Sequence, residues 1–182
     1  MNLEDIIKGC RNNNRGAQEE LYRLYKGVLF SLCLKYCRND AEAEDNLHNA
    51  FIEIFTTIDK YKGSGSFEGW IKRITINKAI NAYRKTTQLV PIKDNFTGDT
   101  DVDDDEMNIP IDRILEFVQQ LPDQYRIVFC LYELDDYPHK EIAVMLSISE
   151  STSKSNLHRA KALLQNKIKA IRHTDITQSH GS

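Results

Sequence analysis

The sequence predicts an all-α protein built from two small helical domains that are joined by a flexible acidic linker. Apolar residues recur every three or four positions through long segments, which is the period of an amphipathic helix. No segment shows the clear alternation of a half-buried strand. A chain of 182 residues is long enough for two small domains, and its acidic residues concentrate between two basic-leaning parts.

The composition is that of a globular protein, with 41% hydrophobic and 28% charged residues. No apolar run approaches the roughly 20 residues that span a bilayer. The N-terminus carries acidic residues where a signal peptide would be basic. We therefore expect a cytoplasmic protein without direct membrane insertion, whose four cysteines are buried thiols rather than disulfides.

In the first domain, residues 1–87, the periodic positions predict three helices. The first has a stripe formed by Leu21, Leu24, Tyr25, Val28, Leu29, Leu32 and Tyr36. The second begins after Asn39 and Asp40, which are good N-cap residues, and continues to Ile58. A loop over residues 59–66 contains two glycines, and Ser66 can cap a third helix that runs to about Lys85.

Cys33 and Cys37 raise a sharper possibility, because residues four apart share one helix face and could bind a metal together with His48. Their apolar neighbours favour the alternative, in which both cysteines pack as small hydrophobes. We expect no metal site and no cofactor.

The linker comprises residues 88–110. Between residues 88 and 112, one lysine stands against eight acidic residues, which repel one another and favour an extended segment. Alternating aspartates at 99, 101 and 103 suggest a calcium loop, but Asp104 occupies the position of the required glycine and Pro110 that of the bidentate glutamate. The segment is therefore predicted to be a linker.

The second domain, residues 111–173, contains a predicted helix-turn-helix. Pro122 opens a helix that ends at Asp135 and Asp136, and a short helix follows over residues 138–146. Ser147, Ile148 and Ser149 form a tight connection before a helix from Glu150 to about Arg172, in which Ser149 is the N-cap. Residues 174–182 are predicted to be a disordered tail.

The last helix has one apolar face, formed by Leu157, Ala160, Leu164, Ile168 and Ile171. Polar and basic residues occupy its start and outer faces, where a helix inserted in the major groove contacts base edges and phosphates. The residues predicted to contact duplex DNA are Ser151, Thr152, Lys154, Ser155, His158, Arg159 and Lys161.

These motifs give the chain a family resemblance. Its second domain, with Leu121-Pro122, Lys140-Glu141-Ile142-Ala143 and His158-Arg159-Ala160-Lys161 in order, resembles region 4 of the extracytoplasmic-function (ECF) sigma factors of bacterial RNA polymerase. Its first domain resembles their region 2. The positions that match are Ala17, Leu21, Tyr22, Tyr25, Ala43-Glu44-Asp45, Ala50-Phe51, Ser66-Phe67, Trp70-Ile71, Ile74 and Asn77.

The resemblance implies a protein that binds core RNA polymerase and promoter DNA, is controlled by an anti-sigma factor, and is not an enzyme. The implied core-binding residues are Asp45, Asn46, His48, Asn49, Phe51 and Glu53. The implied contacts to the opened minus-ten element are Tyr61, Ser66, Trp70, Lys72, Arg73, Asn77, Asn81, Arg84 and Lys85. Region 4 would read the minus-thirty-five element through residues 151–161.

The chain departs from the family pattern at five positions, where the family usually has Gln, Asp, Gly, Val and Arg. They are His48, Asn81, Ser147, Ser153 and Asn156. Serine and asparagine tolerate caps and turns, so these changes bear on promoter preference rather than on the fold.

The alternatives to a sigma factor are a stand-alone DNA-binding regulator and an enzyme that acts on DNA. A stand-alone helix-turn-helix regulator would use residues 1–87 for sensing or dimerisation and would bind its operator without polymerase. An enzyme acting on DNA is disfavoured, because the five histidines are scattered and the sequence has no phosphate-binding glycine loop or nucleophile motif.

Overall fold

A computed structural model describes residues 2–87 and 111–179, with side chains for residues 2–86 and 113–170. Every regular element in these ranges is helical, which confirms the all-α prediction. The helices are α1 (Leu3–Arg11), α2 (Arg15–Tyr36), α3 (Asp40–Thr57), α4 (Phe67–Thr87), α5 (Ile111–Gln119), α6 (Asp123–Phe129), α7 (His139–Leu146) and α8 (Glu150–Ser179). The chain forms two compact units, residues 1–91 and 92–182, and the predicted linker lies outside the described residues.

The first unit begins with a helix that the periodicity analysis did not predict. The Asn2 side chain caps α1 by accepting a hydrogen bond from the Asp5 amide at 2.9 Å. The buried residues of α1 are Ile6, Ile7 and Cys10, and the helix packs against α2. The first unit is therefore a bundle of α1 to α4 rather than of three helices.

The predicted apolar stripe of α2 is only partly correct. Leu21, Leu29 and Leu32 are buried, but Leu24 and Val28 are exposed. The stripe is wider than the face that α1, α3 and α4 cover, so its outer positions remain at the surface.

Two helix starts of this unit are confirmed. The Asn39 side chain accepts a hydrogen bond from the Glu42 amide at 2.9 Å, and the Ser66 hydroxyl accepts one from the Gly69 amide at 3.0 Å. Between α3 and α4, a 3-10 turn over Ile58–Lys60 leads into the glycine-containing loop. The Ser66 cap thus fixes the end of this connection at the start of α4.

All four cysteines are buried, as predicted. Burial raises the pKa of the Cys33 thiol above its ordinary value. His48, the third residue of the metal alternative, lies on the exposed side of α3.

In the second unit, α6 begins after Pro122 as predicted but does not remain α-helical to Asp135. Cys130–Leu134 form a π-helical turn, and the Tyr137 amide then donates to the Leu131 carbonyl at 2.9 Å. Such turns change the direction in which the following residues project. This one ends α6 and leads to the start of α7.

The predicted apolar face of α8 is confirmed for the four positions whose side chains are described, Leu157, Ala160, Leu164 and Ile168, which are all buried. The side chain of Ile171 lies outside the described residues. The helix continues to Ser179, beyond the predicted end near Arg172, so residues 174–179 are helical rather than tail. Within the described part of the chain, no helix has both the length and the apolar character needed to cross a membrane.

The turn between α7 and α8 places a serine in a left-handed conformation. Ser147 has φ 56° and ψ 46°, and the next amide, of Ile148, donates to the Ala143 carbonyl at 3.0 Å. This arrangement ends many helices and usually has glycine at the left-handed position. A residue with a Cβ atom costs roughly 1–2 kcal/mol there.

Replacing Ser147 with glycine should therefore stabilise the second unit. The relief of backbone strain exceeds the extra entropy that glycine has in the unfolded chain, leaving a gain of about 0.5–1 kcal/mol. Denaturant unfolding of the full chain would measure it. Ser147→Ala is the matched control and should give no gain, because alanine keeps the Cβ atom; equal stabilisation by both variants would contradict the strain argument.

Candidate polymerase and nucleic-acid interface

The outer face of α3 brings together part of the predicted core-binding set. Asp45, His48 and Asn49 are exposed, and the helical spacing places Ile52 beside them. Ile52 is 62% exposed, so an apolar side chain lies at the surface among these polar ones. Glu53 lies at the edge of this face and forms an ion pair with Lys78 of α4 at 2.9 Å.

Two other members of that set lie inside the bundle. Phe51 is 4% exposed, and its ring centroid lies 4.6 Å from that of Tyr22 and 5.8 Å from that of Phe55. Asn46 is also buried, and its amide nitrogen donates to the Cys33 sulfur at 3.3 Å and to the Thr75 carbonyl at 3.2 Å. In the described structure, these two side chains support α3 from within.

The loop before α4 has a shape that depends on two glycines. Gly63 and Gly65 have φ values of 79° and 84°, a region that other residues rarely adopt. The Tyr61 hydroxyl donates to the Gly65 carbonyl at 2.9 Å and closes the loop. At the other side, the Arg11 guanidinium of α1 donates to the Tyr61 carbonyl.

An aromatic cluster joins this loop to α4. The Tyr61 ring lies 5.1 Å from Phe67 and 5.6 Å from Trp70, measured between ring centroids. Phe67 is buried, whereas Tyr61 and Trp70 are half-buried. Trp70 therefore packs in the cluster and also reaches the surface.

Polar and basic side chains continue along α4 from this cluster. Arg73, Asn77, Asn81 and Lys85 are exposed, while Arg84 is half-buried. Lys72 forms an ion pair with Glu68 at 2.5 Å. This row of side chains on α4 begins with an aromatic ring and continues with amides and cations. Such a set suits an unstacked base and the phosphate backbone of its strand.

At the start of α8, most of the predicted DNA-contacting residues lie at the surface. The Ser149 hydroxyl accepts from the Thr152 amide at 3.0 Å, which confirms the predicted cap. The exposed members are Ser151, Thr152, Lys154, Ser155 and His158. Arg159 is half-buried with a guanidinium nitrogen 3.4 Å from the Tyr125 hydroxyl, and Lys161 forms an ion pair with Glu133 at 2.6 Å.

The contact between α7 and α8 contains a polar pair that the sequence analysis missed. Ser153 is fully buried, and its hydroxyl lies 2.9 Å from Nδ1 of His139. The His139 ring stacks on Tyr132 with centroids 4.4 Å apart. Desolvation, followed by the nearby Lys154 charge, lowers the pKa of His139 below its ordinary value and favours the neutral ring.

Sequence reasoning thus missed three residues of these surfaces: Ile52, Arg11 and His139. An isoleucine spaced by three and four from polar residues was the available signal for Ile52. Arg11 and His139 gave no comparable signal, because each acts on a segment distant in the sequence.

The chain matches the model of sigma-70 region 2 over residues 21–88 and that of sigma-70 region 4 over residues 111–164. It is 26% identical to the ECF RNA polymerase sigma factor SigW of Bacillus subtilis, covering 94% of this chain and 99% of that protein. It is 28% identical to the sigma factor SigM of the same organism, covering 81% and 92%.

A solved structure of the sigma factor RpoE from Bartonella quintana, bound to the anti-sigma factor NepR, has the same fold. Its TM-score is 0.53 at 16% identity, over 83% of this chain and 96% of that one. Two sigma-70 regions occur in order, and full-length relatives match nearly the whole chain. The chain therefore belongs to the ECF sigma factors of bacterial RNA polymerase.

Proposed function

We propose that this chain directs transcription initiation by binding core RNA polymerase through α3, an opened promoter strand through α4, and duplex DNA through α8. The observation that carries the proposal is the exposure of three separate polar faces on a chain with regions 2 and 4 in order. The protein acts as a specificity subunit in the cytoplasm and not as a catalyst.

The core-binding surface consists of Asp45, His48, Asn49 and Ile52, with Glu53 at its edge. The contacts that contribute most to an interface usually lie near its centre and are surrounded by others that exclude water. Ile52 has these surroundings on α3. Asn46 and Phe51 contribute indirectly, by holding α3 in the bundle.

The minus-ten element is bound by α4 and the preceding loop. An unstacked base can lie against the Tyr61 to Ser66 loop, because the glycines leave the backbone accessible there. Asn77 offers donors and acceptors for the base edge, and the basic residues of α4 neutralise the strand. Trp70 forms one wall through its half-buried ring.

The minus-thirty-five element is read by the start of α8. Ser151, Thr152, Lys154, Ser155 and His158 face the solvent and can reach base edges or phosphates in a major groove. Arg159 and Lys161 are proposed to contact the backbone, with Lys161 exchanging its Glu133 partner for phosphate. The N-terminal turn of α8 adds a positive dipole toward the DNA.

We also propose an anti-sigma factor as the partner of the free chain. The support is the solved relative from Bartonella quintana, whose partner is the anti-sigma factor NepR. Such a partner would compete with core polymerase for the same chain.

The test is reconstitution with core polymerase and a library of promoters. We expect co-purification with core and initiation at a defined set of promoters, whereas the chain alone should bind DNA weakly. Failure to bind core, or tight specific binding by the chain alone, would contradict the proposal and favour a stand-alone regulator.

In the same assay, Asn77→Ala should change the base preference at the minus-ten element. The loss of one base-edge hydrogen-bond pair predicts a change of about tenfold in the preference ratio. Lys60→Ala, a change of an exposed residue before the loop, is the control for a general loss of DNA affinity. An unchanged preference in Asn77→Ala would show that the pocket is assigned wrongly.

A further inference from the structure

We propose that Arg11 is a positioning residue that holds the loop of residues 61–66 in the shape that accepts the minus-ten base. The part that concerns the base depends on the proposed function, whereas the effect on the loop does not.

Close packing fixes the helix that carries Arg11. A Cβ atom added to Gly9 would lie 2.5 Å from the Ala17 Cβ, so α1 and α2 approach more closely than any other residue would allow. Ile6 and Cys10 are each 1% exposed. Asn13 ends the helix in a left-handed conformation with φ 54°, and the Asn14 amide donates to the Gly9 carbonyl at 3.0 Å. The Cα of Arg11 therefore has a fixed position.

From that position, Nη2 of Arg11 donates to the Tyr61 carbonyl oxygen at 2.5 Å. A charged donor makes this bond stronger than one between neutral groups. Tyr61 follows the 3-10 turn directly, and its hydroxyl donates to the Gly65 carbonyl at 2.9 Å. Arg11 thus anchors the first residue of a loop whose far end is attached to the same tyrosine.

The loop has little stiffness of its own. Gly63 and Gly65 have no other atoms within 4 Å of where a Cβ would lie, so neighbouring side chains do not confine them. Glycine also has the greatest backbone freedom. The loop conformation therefore depends on the bond from Arg11, the packing of the Tyr61 ring and the hydrogen bond from Tyr61 to Gly65.

The only tryptophan of the chain reports on this arrangement, because the Trp70 ring lies 5.6 Å from that of Tyr61. In Arg11→Met, a released Tyr61 should expose Trp70, and acrylamide should quench its fluorescence more strongly in the full chain. Lys8→Met removes one charge from the same turn of α1 and is the matched control. Arg11→Lys retains a cationic donor and should partly restore the wild-type value.

In promoter assays with core polymerase, Arg11→Met should reduce the minus-ten base-preference ratio by about threefold to tenfold, the effect of losing one hydrogen bond. The salt dependence of promoter binding should be the same for Arg11→Met as for Lys8→Met. A salt slope lower by about one than that of the control would indicate a direct phosphate contact instead and would overturn the positioning role.

Trp70 quenching and base preference together distinguish the role of Arg11 from the proposed minus-ten pocket. Unchanged Trp70 quenching in Arg11→Met would overturn the role of Arg11. If Arg11→Met changes the quenching but not the base preference, while Asn77→Ala does alter the preference, then Arg11 does not determine base choice. If Asn77→Ala has no effect on base preference either, the minus-ten pocket is assigned wrongly. The quenching result still decides whether Arg11 holds the loop.

Discussion

Replacing Ile52 with glutamate should lower the affinity for core polymerase by about 10- to 100-fold, equivalent to the loss of one apolar anchor in an interface. Because Ile52 is 62% exposed, its side chain contributes little to the packing of the unit. The same substitution places a charge where the partner would bury it. The effect should therefore appear in binding and not in the free energy of unfolding.

The measurement is a titration of labelled chain with core polymerase, accompanied by denaturant unfolding of each variant. Leu24→Glu is the matched control, since Leu24 is an exposed apolar residue of α2 in the same unit. It should leave core affinity within about threefold of wild type. Equal losses in both variants would mean that the α3 face has no special role.

Replacing Phe51 with alanine should destabilise the first unit by about 3–5 kcal/mol, the range for removing a buried aromatic ring. The ring is 4% exposed and packs against Tyr22 and Phe55, so its loss leaves a cavity between α2 and α3. Any decrease in core binding should follow the fraction of unfolded protein.

Denaturant unfolding of the full chain would measure this change, and His48→Ala provides the control on the exposed side of the same helix. That control should stay within about 0.5 kcal/mol of wild type. A Phe51→Ala variant with wild-type stability but weak core binding would place Phe51 in the interface itself, which contradicts its burial.

Local signals were the most predictable part of this fold. Asn39, Ser66 and Ser149 cap helices as expected, because a cap depends on residues only three positions away. The apolar face of α8 was equally clear. By contrast, α1 is short, and its stability depends on packing against α2 that a single segment does not reveal.

Positions whose environment depends on neighbouring helices were less predictable. The spacing of Leu24 and Val28 predicted burial, but the covering helices do not extend over them. The family resemblance identified the segment of α3 without indicating which side faces inward, so Asn46 and Phe51 were grouped with surface residues. The π-helical turn also depends on tertiary contacts and left no pattern in the sequence.

The buried amide of Asn46 has a mechanical consequence for promoter opening. It links the thiol of Cys33 in α2 and the backbone of α4 at Thr75, while its own helix presents the proposed polymerase-binding face. Rotation of α3 relative to α4 would break these bonds and leave the buried Asn46 amide unpaired, which costs about 1–3 kcal/mol. These bonds couple α3 to α4, so under the proposed function the angle at which polymerase holds α3 would also affect the angle at which α4 meets the DNA strand.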